Sequence, residues 1–158
     1  MPNQGRLKAL ETPIAQELLG STLLARLAYT GLDGRPRLVP IWFVWTGDRL
    51  VLATPAGAPK VRALQANECV TVIIDDPRWP YRGLEIRGPV EVEIVSGIVP
   101  EYRSAARRYL GEGPGDAWIA GVEPLFRSMA RLSIRPRWAK AMDLRQMLPD
   151  AVAATLNR

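Results

Sequence analysis

Residues 36–62 read PRLVPIWFVWTGDRLVLATPAGAPKVR. Two runs of β-branched and aromatic residues flank Gly47-Asp48, a tight-turn pair, so the stretch starts as a hairpin. It then passes through a small-residue turn, Pro-Ala-Gly-Ala-Pro, into a helix that opens on Lys60, Val61 and Arg62. Upstream, Asp33-Gly34 separates the first of these strands from an earlier alternating run through Leu23, Ala25, Leu27 and Tyr29. Three strands over roughly 22–30, 37–46 and 49–54 thus form a meander. Connections this short carry no crossover, which disfavours a doubly wound parallel sheet.

Thr12-Pro13 offers an N-cap and a first-turn proline, and Gly20 a stop, which predicts a short helix over 13–19. After the meander, Val61 and Leu64 share a helical face within 59–67, and CVTVIID at 69–75 is a β-branched strand. From Leu84 to Ile94, apolar residues alternate with Glu85, Arg87, Glu91 and Glu93, as in a half-buried antiparallel strand. Pro100 opens an amphipathic helix closed by Gly111. The Gly-Glu-Gly-Pro-Gly-Asp that follows reads as a loop, without the Gly-Lys-Ser/Thr ending of a Walker-type phosphate loop. Asp116 then caps a helix reaching about Ser128, and MARLSIR at 129–135 is a sixth strand. The expectation is a mainly β chain with flanking helices, an antiparallel barrel whose closure removes exposed edges. Residues 1–158 form a single domain, with a helical insertion at about 100–128.

Composition narrows the chemistry. The 158 residues include no histidine, which removes Ser-His-Asp and Cys-His triads and zinc sites built on imidazole. The single cysteine, Cys69, makes no intrachain disulfide. Asp75 and Asp76 are adjacent, but neighbours on a strand point to opposite faces, so the pair reads as a strand-end turn rather than an acid/base couple. No apolar run approaches the roughly 20 residues that cross a bilayer, and Met-Pro-Asn-Gln-Gly does not open a signal peptide. A cytoplasmic protein with no membrane partner is expected. The net charge of +5 is concentrated in the C-terminal third and reads as a solvated helical face. Nucleic acid is disfavoured as a partner, because Trp118 and Trp138 do not fall on adjacent strands as a single-strand binding groove requires.

The turn after Thr54 suits an anion. A helix N-terminus presents free amide hydrogens and a partial positive charge, and Lys60 adds a full charge there. Without an anion that placement is unfavourable by roughly a few tenths of a kcal/mol. Pro55 and Pro59 have no amide hydrogen, so the side chains of Thr54, Lys60 and Arg62 must carry more of the binding. Trp42 and Trp45 have opposite parity, so one of them faces a helix, a partner subunit or a ligand. Trp79-Pro80-Tyr81-Arg82 sets two aromatics beside an arginine, a combination that stacks on planar rings and pairs with anionic groups.

The ordered set Arg26-Leu27-Ala28, Asp33-Gly34-Arg35-Pro36, Val39-Pro40-Ile41-Trp42-Phe43, Thr54, Lys60-Val61-Arg62-Ala63-Leu64, Val70-Thr71-Val72 and Gly88 resembles the FMN-binding split-barrel family related to pyridoxamine 5'-phosphate oxidase. The likeness spans about residues 10–140. It implies a six-stranded split β-barrel homodimer holding FMN, or alternatively the deazaflavin F420, in two sites at the subunit interface. By that likeness Val39, Pro40, Ile41 and Trp42 border the cofactor ring. Thr54 and Lys60 hold the phosphate, with Arg62 assisting, and Ala53 belongs to the same cofactor-binding set. The partner subunit brings Trp79, Tyr81 and Arg82, and Trp138 from near the last strand. The implied activity is an oxidoreductase that passes hydride or electrons to a small planar substrate, with NAD(P)H as a candidate donor and no side-chain acid or base required. Its alternatives are an F420-dependent reductase and a non-catalytic flavin carrier. Two departures matter. The basic strand-two residues and C-terminal Arg-x-His motif of true pyridoxamine-phosphate oxidases are missing, which disfavours that reaction. The position two before Lys60, often basic in F420-using relatives, is Ala58, which favours FMN.

Overall fold

Asp33 and Gly34 make the first turn as expected. Gly34 sits at φ +75° and the Gly31 amide donates to the Arg35 carbonyl at 2.8 Å. Strands β1 (Ala25–Thr30) and β2 (Pro36–Ile41) therefore run antiparallel, with Leu27 opposite Val39. A second turn, with Gly47 at φ +105°, joins β3 (Phe43–Trp45) to β4 (Leu50–Pro55). These elements belong to a computed structural model that describes residues 6–157, so the reading of the first five residues lies outside it. Trp42 breaks what the sequence presents as one strand, because β2 pairs with β1 whereas β3 pairs with β4.

The hydrogen-bonded order is β2-β1-β5-β6-β7-β4-β3, where β5 is Cys69–Asp76, β6 is Arg82–Ser96 and β7 is Ser128–Ile134. Every pairing is antiparallel. The two ends of this path, β2 and β3, are consecutive in the chain, so the curled sheet closes through the Trp42 corner and not through a further ladder. Pro36 and Pro40 lack amide hydrogens and both lie on β2, which among the described residues pairs only with β1, so a missing donor is tolerated.

The C-terminal part differs from the expected six strands. After β7 the chain kinks at Arg135-Pro136-Arg137 and continues as β8 (Trp138–Asp143), which pairs with residues 82–87 of β6. The kink lies against Gly88, where a Cβ would stand 1.9 Å from the Arg135 carbonyl oxygen. Only glycine fits that approach. Trp138, placed by the sequence after the last strand, opens it.

Helices cap and flank the barrel. Thr12 caps α1 (Pro13–Leu19), which drives Ala15, Leu18 and Leu19 into the interior, and α2 (Pro59–Ala66) adds Val61 and Leu64. They join Leu27, Phe43, Leu52, Ile74, Ile86 and Leu132, and each fully buried aliphatic side chain contributes about 1.5–3 kcal/mol. The insertion is a pair of helices, α3 (Pro100–Leu110) and α4 (Glu112–Val122). Helix α4 starts at Glu112, not Asp116: the expected loop is its first turn. A Cβ on Gly115 would meet the Ala106 oxygen and the Arg107 Cα at 2.7 Å each, so this glycine serves close helix packing. A second, smaller core of Ala53, Val99 and Met129, with Tyr102 and Phe126 against it, joins the insertion to the outer face of β4 and β7. Short helices α5 (Leu144–Met147) and α6 (Asp150–Ala153) follow β8. Among the described residues no helix is long and apolar enough to cross a membrane.

Candidate functional site

Side chains of successive β4 residues alternate, which sends Leu52 into the barrel core and Ala53 into the outer one. Thr54 has the inward parity and is 5% exposed. A buried hydroxyl needs a partner, and the Lys60 ammonium supplies it, donating to Thr54 Oγ1 at 3.4 Å. Strand end and helix start are thereby brought to one point. The turn between them offers few amides, because Ala56 and Ala58 already donate to the Ser128 and Pro55 carbonyls and the two prolines have no N–H. Helix α2 begins with Ala58 as an uncapped N-cap and no acid in its first turn. Among the described residues Lys60 has no carboxylate partner. A hydroxyl, an ammonium and the positive end of a helix thus converge without a neutralising group, which is the chemistry of a phosphate site. Arg62, two residues from Lys60, starts about 200° around the helix from it and is exposed.

A cavity of about 310 Å³, which reaches β4 at Ala53, the residue before Thr54, is lined by Leu24, Pro40, Ile41, Trp42, Ala53, Tyr102 and Trp118. It brings together four residues singled out in the sequence, Pro40, Ile41, Trp42 and Ala53. Val39, one residue earlier, packs partly buried against the barrel core. Trp42 sits in an aromatic cluster. Its ring stacks on Tyr109 at 5.4 Å and 8°, tilts against Tyr102 at 5.6 Å, and meets Trp118 edge-on at 6.3 Å.

Helix α3 is fastened to this corner. The Arg108 guanidinium donates to the Phe43 carbonyl and lies 4.6 Å over the Phe43 ring. The Tyr109 hydroxyl donates to the Leu23 carbonyl at 2.8 Å, and burial raises its pKa above the ordinary phenol value. Sequence reasoning missed Tyr102, Tyr109 and Trp118. Tyr102 and Tyr109 are spaced i, i+7 on one helical face, the one local signal that they share a neighbour.

The loop after β5 forms a separate group. Trp79 and Tyr81 are both 53% exposed and meet edge-on at 5.2 Å. Arg82 is already engaged, donating to Asp76 at 3.0 Å and to Glu17 at 2.9 Å. Asp76 is almost completely buried, and hydrogen bonds from the Arg78 side chain, the Arg78 amide and Arg82 hold its carboxyl well below the usual carboxylate range. Trp79 and Arg82 line a surface recess with Glu17, Arg78 and Arg145 that shares no residue with the Trp42 cavity. Trp138 stands elsewhere, with the Arg87 guanidinium 4.0 Å above its ring.

Comparison with known proteins agrees with the fold. No functionally curated protein matches the chain. Among solved structures, Rv2991, a conserved hypothetical protein of Mycobacterium tuberculosis, superposes with a TM-score of 0.70 at 22% identity, covering 93% of this chain and 94% of that one. An F420 reductase is 30% identical over 78% of this chain and 93% of its own, with a TM-score of 0.59. HutZ, a heme storage protein of Vibrio cholerae, shares the fold at 17% identity and a TM-score of 0.59, covering 81% of this chain and 92% of that one. The family model for pyridoxamine 5'-phosphate oxidase matches residues 12–142, most of the chain. With β1 to β8 all inside or touching that span, the chain belongs to the pyridoxamine 5'-phosphate oxidase family.

Proposed function

We propose that this protein is an oxidoreductase that holds a phosphate-bearing flavin, FMN, with the phosphate at Thr54 and Lys60 and the ring along Val39, Pro40, Ile41 and Trp42. The carrying observation is the Lys60–Thr54 contact at 3.4 Å, a cation and a buried hydroxyl at a helix start with no carboxylate between them. When bound, the cofactor supplies hydride or electron transfer to a small planar substrate. The protein's part is to bind and orient. Thr54, Lys60 and the Gly57 and Lys60 amides, which have no backbone acceptor among the described residues, receive the phosphate, while Ala53 and the β2 corner set the ring's depth. No side-chain acid or base is assigned, in keeping with a chain that has no histidine.

Two subunits complete the site in this reading. Trp79, Tyr81 and Arg82 lie apart from the cavity within one chain, so a homodimer would deliver them from the partner. Arg82 then acts through its grip on Asp76 and Glu17, by shaping the loop. A cytoplasmic location and NAD(P)H as electron donor belong to the same reading.

F420 is the second reading, and one observation favours it: the 30% identity to an F420 reductase across nearly the whole of that chain. Ala58, where a basic residue would help hold F420, favours FMN. The mass and visible spectrum of the molecule released on denaturing the purified protein decide between them. A non-catalytic carrier would bind the cofactor yet neither accept electrons from NAD(P)H nor return them to any acceptor. A protein that binds neither cofactor in titration refutes the proposal.

A further inference from the structure

Tyr102 and Trp118 come from the insertion, not from the barrel, yet they line the cavity at the barrel's corner. Trp118 is 45% exposed, and its indole N–H is nonetheless fixed, donating to the Tyr102 hydroxyl at 3.0 Å. The scaffold behind them is tightly built. Arg107 grips Asp116 through two hydrogen bonds of 2.6 and 2.8 Å, Gly115 lets α4 pack directly on the α3 backbone, and Arg108 and Tyr109 tie α3 to Phe43 and Leu23. A large exposed aromatic is thus held in one orientation by a rigid hairpin.

The chemistry of the walls says what fits. Every lining residue is uncharged, so an ion placed there would lose its hydration without a counter-charge. Faces and edges of Trp42, Tyr102 and Trp118 favour offset and edge-on contact with another π-system. At about 310 Å³ the cavity stands at the lower end of ligand pockets and takes one planar ring system, not two.

We propose that Tyr102 and Trp118 clamp, from within the same chain, the uncharged planar ring of the molecule whose phosphate is held at Thr54 and Lys60. This rests on the cofactor reading above and adds to it a ring clamp carried by α3 and α4. Calorimetric titration of the full chain with lumiflavin, a flavin ring without phosphate, and with FMN separates the two ideas. Trp118→Ala and Tyr102→Ala each lower affinity for both ligands by about tenfold. Trp118→Phe, which keeps a ring, retains most of it. Lys60→Ala weakens FMN and leaves lumiflavin unchanged, and thermal melts confirm that each variant is folded. If FMN binds in a Lys60-dependent way while Trp118→Ala and Tyr102→Ala leave both ligands unaffected, the clamp is wrong and the cofactor reading survives. If wild type binds neither FMN nor F420 but binds lumiflavin in a Trp118-dependent way, the cofactor reading falls and the ring slot stands. Wild type that does not bind lumiflavin overturns the clamp.

Discussion

Lys60 and Thr54 are the smallest unit on which the proposed function rests. Charge-assisted hydrogen bonds to a phosphate are worth about 1.5–3 kcal/mol each. Lys60→Ala is therefore expected to weaken FMN binding by roughly ten- to hundredfold, read by fluorescence titration. Arg62→Ala, on the far side of the helix, leaves it nearly unchanged. Both residues looked equivalent in the sequence, because a string of letters shows that they are close but not that a helix turns them apart. Asp76 tests a different property. Its carboxyl is depressed by Arg78 and Arg82, so the stability this pairing contributes is complete above the ordinary value of 3.8 and is lost as pH falls below it. Melting temperature followed from about pH 6 down to about pH 2.5 should fall steeply at the acid end, and Asp76→Asn should flatten that fall while lowering the melting temperature at neutral pH.

Among the elements, those announced by turn chemistry were legible. Gly34 and Gly47 mark hairpins, Thr12-Pro13 and Gly20 bracket α1, and Pro59 opens α2, as the sequence suggests. Strand β8 was not legible, because Ala139 and Ala141 align with Ile86 and Leu84, and alanine carries no hydrophobic alternation. The glycines and proline at the start of α4 imitate a loop, although Gly115 is there for contact with α3. The proposed ring clamp was hidden for a related reason: it joins Trp42 to Tyr102 and Trp118 across up to about half of the chain, and spacing carries no trace of such contacts. Gly88→Ala probes the bend of β6 against the β7–β8 kink. A methyl group placed 1.9 Å from a carbonyl oxygen must push two strands apart. The expected cost is about 3 kcal/mol, the upper part of the overpacking range, measured by denaturant unfolding.

At the scale of the molecule, most of the candidate residues fall into two groups on one chain, the Thr54–Lys60 point with the Ala53 cavity and the exposed Trp79–Tyr81 loop. A homodimer that brings one group against the partner's other group makes sense of both. Light scattering at about micromolar protein is expected to give twice the 17.5 kDa chain mass, and a monomer would contradict the shared site. Trp79→Ala should then raise the dimer dissociation constant or weaken cofactor retention, while leaving the barrel's melting behaviour almost unchanged.

The order of the sheet also has a consequence for synthesis. Strand β4, which ends at Thr54, has β3 on one side, and on the other it waits for β7, more than seventy residues later in the chain. A growing chain that has reached only Ser96 possesses β1, β2, β5 and β6 as a sheet, but β4 belongs to an isolated two-stranded ribbon, which is marginal in water. The barrel, the Thr54–Lys60 point and the aromatic corner are therefore completed together and late, when residues 128–134 arrive to join the barrel's two halves.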